Sequence, residues 1–125
     1  MTQTSPIGKA NAPSFTWRDV CAGWTFVDQP RLHVIEERMP PGRFELRHVH
    51  ELTHQFYFVL QGTATVESGG GRFEVAAMQG IEIPPGLEHQ MRNESDTELE
   101  FLVISTRRPR EDRRNVPAAG PGASG

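Results

Sequence analysis

The chain has 125 residues, of which 36% are hydrophobic and 23% are charged, and its formal net charge is −3. This length suits one domain with a real core, and the near-balanced charge excludes a general attraction to nucleic acid or anionic membranes. The only cysteine is Cys21, which excludes an intrachain disulfide and any zinc site built from several thiolates. No stretch has the apolar length of a signal peptide or a membrane span, so we expect a cytoplasmic protein with no membrane partner.

Short strands are predicted along most of the chain, beginning after a terminal segment, residues 1–14, that we expect to be flexible. Proline and glycine interrupt the sequence at short intervals and leave no room for a long helix. Runs rich in aromatic and β-branched residues occupy 15–20, 23–27, 31–39, 55–60, 63–67, 72–76, 81–83 and 99–105. This spacing predicts an all-β domain over residues 15–108, folded as an antiparallel sandwich or barrel, with a hairpin turn at SGGG (68–71).

The end of the chain differs in composition. From Arg107 it reads RRPREDRRNVPAAGPGASG, with five arginines in eight residues followed by small residues, proline and glycine. We expect residues 109–125 to form a disordered tail. The arginines could instead bind an anionic partner, but Glu111 and Asp112 among them favour a solvated segment that leaves the barrel.

Two ordered sets of residues stand out in the middle of the chain. The first fits G-x5-H-x-H-x4-(E/Q)-x6-G and the second fits P-x-G-x2-H-x3-N. Their members are Gly42, His48, His50, Gln55 and Gly62, then Pro84, Gly86, His89 and Asn93. Together they resemble the two signature motifs of the cupin superfamily over residues 31–105. The resemblance implies a small single-domain double-stranded β-helix, or jelly-roll, barrel that holds a divalent metal with residues of both motifs. The chain departs from the family pattern at Met78, where a glycine is expected.

The candidate metal ligands follow partly from strand geometry. Side chains alternate along a strand, so His48 and His50 share one face, whereas His54 and Gln55 face opposite ways and only one of the two can join them. The family pattern, counted back from the glycine that ends this strand, selects Gln55. The resemblance adds His89 as the fourth ligand.

Imidazole ligands suit a divalent transition metal, namely Zn, Ni, Fe, Co, Mn or Cu. The two remaining histidines, His54 and His33, are interpreted as surface residues.

Glutamine stands at Gln55, where metal-binding members of the family usually have glutamate. Four neutral ligands leave the ion its full charge, which favours an anionic ligand such as an enolate, phenolate or carboxylate, and the amide cannot act as a base. Side chains expected on the ligand face give a largely apolar pocket of Phe44, Leu46, Tyr57, Val59 and Met91. Tyr57 is the candidate catalytic residue, as a hydrogen-bond or proton donor.

Two functions remain open at this point. One is a metal-dependent enzyme that acts on a small organic anion, of the isomerase, cyclase or dioxygenase type. The alternative is a non-catalytic cupin that binds or senses a small molecule or metal. No helix-turn-helix accompanies the barrel, so we expect no nucleic-acid partner. Outward-facing Phe56, Phe58 and Leu60 predict a homodimer.

Overall fold

The computed structural model describes residues 4–117, which contain eleven β-strands, one short 3-10 helix (Pro109–Glu111) and no α-helix. The strands are β1 (Ser14–Trp17), β2 (Cys21–Gln29), β3 (Leu32–Met39), β4 (His48–His50), β5 (Gln55–Gln61), β6 (Thr63–Ser68), β7 (Gly71–Ala76), β8 (Gly80–Ile83), β9 (His89–Arg92), β10 (Leu99–Ser105) and β11 (Arg113–Asn115). Within this part of the chain, no helix is long and apolar enough to cross a membrane.

The strands form two antiparallel sheets, which confirms the predicted all-β jelly-roll barrel. One sheet has the order β1-β2-β3-β10-β5-β8 and the other has the order β11-β4-β9-β6-β7. A shared core of fully buried side chains includes Met39, Val59, Val66, Met91 and Phe101. The sheets therefore bury one common hydrophobic interior and leave their outer faces to solvent.

Strand β5 shows the alternation that the sequence predicts. Gln55, Tyr57 and Val59 are buried, whereas Phe56 on the opposite face is 39% exposed and stacks on Phe58. Because the side-chain period of a strand is two, this register turns Gln55 and Tyr57 toward the barrel interior.

Glycines of the two motifs occupy turns that require positive φ. Gly42, Gly62 and Gly86 have φ of 79°, 85° and 82°. At Gly62 a Cβ atom would lie 2.5 Å from the carbonyl oxygen of Glu98, so no other residue fits there without a shift. Met78 has a φ of 67°, so it adopts the left-handed conformation that a glycine would favour.

The prediction that residues 109–125 are disordered is wrong for residues 109–117. Here the 3-10 helix is followed by β11, which pairs with β4 so that Arg113 lies opposite His50. The composition of the segment indicates solvation. The segment is ordered because β11 supplies hydrogen bonds to the free edge of the three-residue strand β4. Residues 118–125 lie outside the described part of the chain.

The predicted flexible segment 1–14 contacts the barrel in its described part. The Lys9 ammonium lies 3.1 Å from a Glu36 carboxylate oxygen and also bonds to Glu100, and its charge stacks over the Trp24 ring at 4.7 Å. Strand β1 begins at Ser14 and pairs with β2. The boundary of the ordered domain therefore lies before residue 14 in this structure.

Candidate metal centre

Three of the predicted ligands, His48, His50 and His89, converge inside the barrel. The first two lie on β4, and His89 begins β9 directly opposite His48. Each is at most 3% exposed, and one nitrogen from each ring lies within 4.8 Å of the others. Strand alternation within β4 and the pairing of β4 with β9 therefore bring together side chains that are about forty residues apart in sequence.

Backbone carbonyls fix the orientation of two of these rings. The Nδ1 atom of His48 lies 2.8 Å from the Leu46 carbonyl oxygen, and that of His89 lies 2.9 Å from the Leu87 carbonyl oxygen. A carbonyl can only accept, so each Nδ1 carries the proton and leaves the Nε2 lone pair for a metal. Burial, with the nearby charge of Arg113, lowers the pKa of His48 to about 3, and burial lowers the pKa of His89 to about 4. Both rings are therefore neutral at pH 7, as ligands must be.

The third ring, His50, is held by Asp112, a residue of the segment that was predicted to be disordered. One Asp112 oxygen accepts hydrogen bonds from His50 Nδ1 (2.9 Å) and the Thr53 hydroxyl (2.7 Å). The other accepts the backbone N–H groups of Leu52 (2.8 Å) and Thr53 (2.9 Å). Partial burial raises the pKa of Asp112, but these hydrogen bonds outweigh it and lower the pKa to about 2. An ionised carboxylate thus sets the tautomer of His50 and ties the C-terminal segment to the site.

Gln55, the fourth predicted ligand, is 3% exposed and lines the same cavity as His48 and His50. Its Nε2 donates to the Ser105 hydroxyl (3.1 Å), whereas its Oε1 is buried with no hydrogen-bond partner among residues 4–117. The His89 Nε2 is unpartnered in the same way within that range. Leaving such an atom unsatisfied costs about 1–3 kcal/mol, and a bound cation would satisfy both atoms. Three imidazole nitrogens and an amide oxygen are a donor set that fits a divalent transition metal, and Gln55 stays a predicted ligand.

Of the two remaining histidines, His54 is exposed at the surface and His33 is buried. His54 has an exposed side chain whose Nε2 lies 2.5 Å from a Glu82 oxygen, outside the cluster, in agreement with its interpretation as a surface residue. The same interpretation is wrong for His33, which is 8% exposed and lines the cavity. His33 lies on the inward face of β3 together with Ile35. The alternation of side chains along that strand therefore indicates its inward position already in the sequence.

A cavity of about 570 Å³ adjoins the histidines. Of the predicted pocket residues, Leu46 and Tyr57 line it, whereas Val59 and Met91 are fully buried members of the core. Phe44 is also not part of the cavity wall, and instead the guanidinium of Arg18 lies over its ring at 4.9 Å. The reason is that the regular strand begins only at His48, so alternation does not extend back to residue 44.

Two acidic residues that the sequence motifs do not single out also line the cavity, namely Glu37 of β3 and Glu45. A Glu45 carboxylate oxygen accepts the Met91 N–H (3.0 Å) and, at 3.4 Å, the Tyr57 hydroxyl. Burial and the charge of Glu45 raise the pKa of Glu37 to about 8, and burial raises the pKa values of Glu45 and of the Tyr57 phenol. In the metal-free protein these shifts favour an uncharged Glu37 carboxyl group, whereas the Tyr57 hydroxyl keeps its proton and directs it at Glu45.

The sequence is similar to a known protein family and to other known proteins. Residues 35–105 match the family described as "Cupin domain". The polyketide synthase CurC of Streptomyces cyaneus is 30% identical over 87 residues, which are 69% of this chain and 56% of that protein. The chain spans about half the length of the curated relatives that it matches.

Solved structures share the fold. TT1209 from Thermus thermophilus is 27% identical, with a TM-score of 0.69 over 74% of this chain and 88% of that chain. The polyketide cyclase RemF from Streptomyces resistomycificus is 22% identical, with a TM-score of 0.77 over 94% of this chain and 88% of that chain. The two sheets and their connections therefore follow an architecture found in other proteins.

Proposed function

The chain belongs to the cupin family, and from that premise we propose that it is a metal-dependent enzyme that acts on a small organic anion by isomerisation or cyclisation. The observation that carries this proposal is the convergence of three buried histidine nitrogens beside a cavity of about 570 Å³ whose wall includes the Glu37 carboxyl group. Cavities of this size accept small organic molecules. The similarity to a polyketide synthase supports a substrate with several oxygen groups on a carbon skeleton.

In this proposal His48, His50 and His89 would hold the ion through Nε2, and Gln55 would add its amide oxygen. The bound ion would supply Lewis acidity toward a substrate oxygen. Because the four side chains are neutral, the ligand set does not offset the positive charge of the site, and an anionic group of the substrate is favoured there.

Two side chains of the cavity wall, Glu37 and Tyr57, act on the substrate in this proposal. Glu37 faces the cavity, and its raised pKa in the metal-free protein makes its carboxyl group the side chain best suited to give a proton to the substrate. Tyr57 donates its hydroxyl hydrogen to Glu45, so its oxygen can accept a hydrogen bond from a substrate hydroxyl group and orient it. In an isomerisation or cyclisation, the proton that Glu37 gives is balanced by one that the resulting Glu37 carboxylate takes from another position of the substrate, without net oxidation.

Metal analysis and turnover together test the proposal. Protein purified under metal-replete conditions should contain about one transition-metal ion per chain, and His50→Ala and Gln55→Ala should lower that content. A panel of diketones and polyketide-like phenols should then be converted equally well with and without air. Metal-free protein under replete conditions would refute the metal-dependent enzyme. Oxygen consumption with substrate would establish the dioxygenase type instead, and tight binding without product would establish the non-catalytic binder.

We also propose that the protein is a homodimer that associates through the outer face of the six-stranded sheet. Phe56 and Phe58 stack on this face with ring centroids 6.2 Å apart, and Phe56 is 39% exposed. Paired aromatic side chains on an outer sheet face are typical of association surfaces. Light scattering should give twice the monomer mass, and Phe56→Lys should give a monomer; a wild-type monomer would contradict the proposal.

A further inference from the structure

The arginines of the C-terminal segment divide into two groups. Residues 107–114 contain five arginines, of which three are paired with carboxylates. The pairs are Arg107 with Glu111 (3.5 Å), Arg108 with Asp28 (2.6 Å) and Arg114 with Glu51 (2.8 Å). The other two, Arg110 and Arg113, line the cavity, and no carboxylate within residues 4–117 forms an ion pair with either. The unpaired arginines are thus the two that face the candidate site.

The charge of Arg113 reaches the interior of the site. After burial, it is the largest contribution to the low pKa of His48, and it opposes the burial that raises the pKa of Glu37. Its Nε donates to the Asn115 side chain (3.1 Å), and an Nη donates to the Leu46 carbonyl only at the long distance of 3.5 Å. Most of the five guanidinium donors therefore remain available to a ligand.

The rest of the cavity wall has a different chemistry. Phe15, Trp17, Ile35 and Val103 provide aromatic and aliphatic surface. Arg18 also lines the cavity, but its guanidinium is stacked over the Phe44 ring. The cavity therefore combines an apolar wall and the histidine cluster with the guanidinium groups of Arg110 and Arg113, which together match an amphipathic acid.

We propose that Arg110 and Arg113 bind the carboxylate of an apolar, aromatic-sized carboxylic acid substrate. The segment that was predicted to be a disordered tail is then a substrate-specificity element. This inference rests on the proposed function, because it assumes that the substrate reacts at the histidine cluster in the same cavity. Guanidinium and carboxylate groups match in shape and charge, so the pair recognises the acid and discriminates against its neutral analogues.

Binding of two matched probes to the full chain tests this proposal. Protein treated with EDTA is titrated calorimetrically with 1-naphthoate and with its neutral amide, 1-naphthamide, so that coordination by a metal cannot contribute. The Kd for 1-naphthoate should be about tenfold lower than that for 1-naphthamide. Arg113→Gln and Arg110→Gln should each remove most of this difference. Arg114→Gln is the matched control, since Arg114 is the next residue on β11 and pairs with Glu51 outside the cavity.

The control variant should keep the full preference for the acid, and thermal unfolding should show that all three variants remain folded. Equal affinities for the two probes, no binding of 1-naphthoate, or an equal loss in Arg114→Gln would overturn the proposal. Metal content is measured on a separate, metal-replete sample of the same variants. A failure of the metal-dependent function is therefore recognised independently of a failure at the arginines.

Discussion

Replacing Asp112 with asparagine should weaken metal binding although Asp112 is not itself a ligand. The carboxylate accepts four hydrogen bonds, two at each oxygen, from His50, Leu52 and Thr53. Asparagine has one carbonyl oxygen and one NH2 group, so it can satisfy only one of the two sets. If the NH2 group faces the backbone donors, those N–H groups lose their acceptor. If it faces His50, the ring must accept at Nδ1, and its proton then moves to Nε2, where the metal would bind.

The expected losses of metal affinity and of stability follow from these hydrogen bonds. Residues that orient a metal-bound histidine typically change metal affinity by about 10–100-fold, and loss of the negative charge beside His50 also weakens its ring as a donor. Hydrogen bonds to a charged group are worth about 1.5–3 kcal/mol each, and asparagine retains part of them. We therefore expect Asp112→Asn to lower metal affinity by about 10–100-fold and the free energy of unfolding by about 2–4 kcal/mol.

Competition with a chelating indicator measures the metal affinity, and urea unfolding of the metal-free variant measures stability. Asp28→Asn is the control, because Asp28 also anchors the C-terminal segment, through a 2.6 Å contact with Arg108, and its strand partner is His33 and not a residue of the histidine triad. It should leave metal affinity unchanged. Wild-type metal affinity in Asp112→Asn, or an equal loss in Asp28→Asn, would refute the positioning role.

Three further predictions concern the same barrel. Met78→Gly should raise the free energy of unfolding by about 1 kcal/mol in urea, since Met78 has a φ of 67°; an unchanged or lower midpoint would contradict this. Metal-free protein should lose stability on acidification. In the unfolded chain, histidines take up protons below their ordinary pKa of 6.5, whereas in the folded protein His48 and His89 stay neutral until about pH 3 and 4. Urea unfolding should show a fall of up to about 1.4 kcal/mol per pH unit for each histidine, and a flat profile from about pH 7 to 5 would count against it. His54→Ala should retain the bound metal that His50→Ala loses, and equal losses would place His54 in the site.

The barrel was predictable because its signals are local. Glycine at Gly42, Gly62 and Gly86 marks turns with positive φ, and period-two alternation in β5 separates Gln55 from His54. Both signals depend on neighbouring residues only, so they can be recognised without knowledge of the tertiary structure. His48 and His50 were predictable from the alternation of one strand, whereas His89 was predicted only from the resemblance to the two cupin motifs.

Asp112 and Glu45, which lie beside the triad, were not predictable in this way. Asp112 acts through contacts across about sixty residues of sequence, in a segment whose composition is typical of disorder. Glu45 lies just before β4 begins, where alternation does not apply, so its inward direction depends on the tertiary path of the chain. Glu37 and His33 lie on the inward face of a regular strand, and that signal was present in the sequence but was outweighed by their polar character.

Binding of one metal ion by His48, His50 and His89 through Nε2, with the Gln55 amide oxygen beside it, is the central claim of the proposed enzymatic function. Anomalous diffraction from crystals of metal-loaded protein would locate the ion. We expect one strong peak about 2.0–2.2 Å from all three Nε2 atoms and within coordination distance of Gln55 Oε1. A peak at His54 and Glu82, or no peak at the histidine triad in metal-loaded crystals, would contradict this assignment.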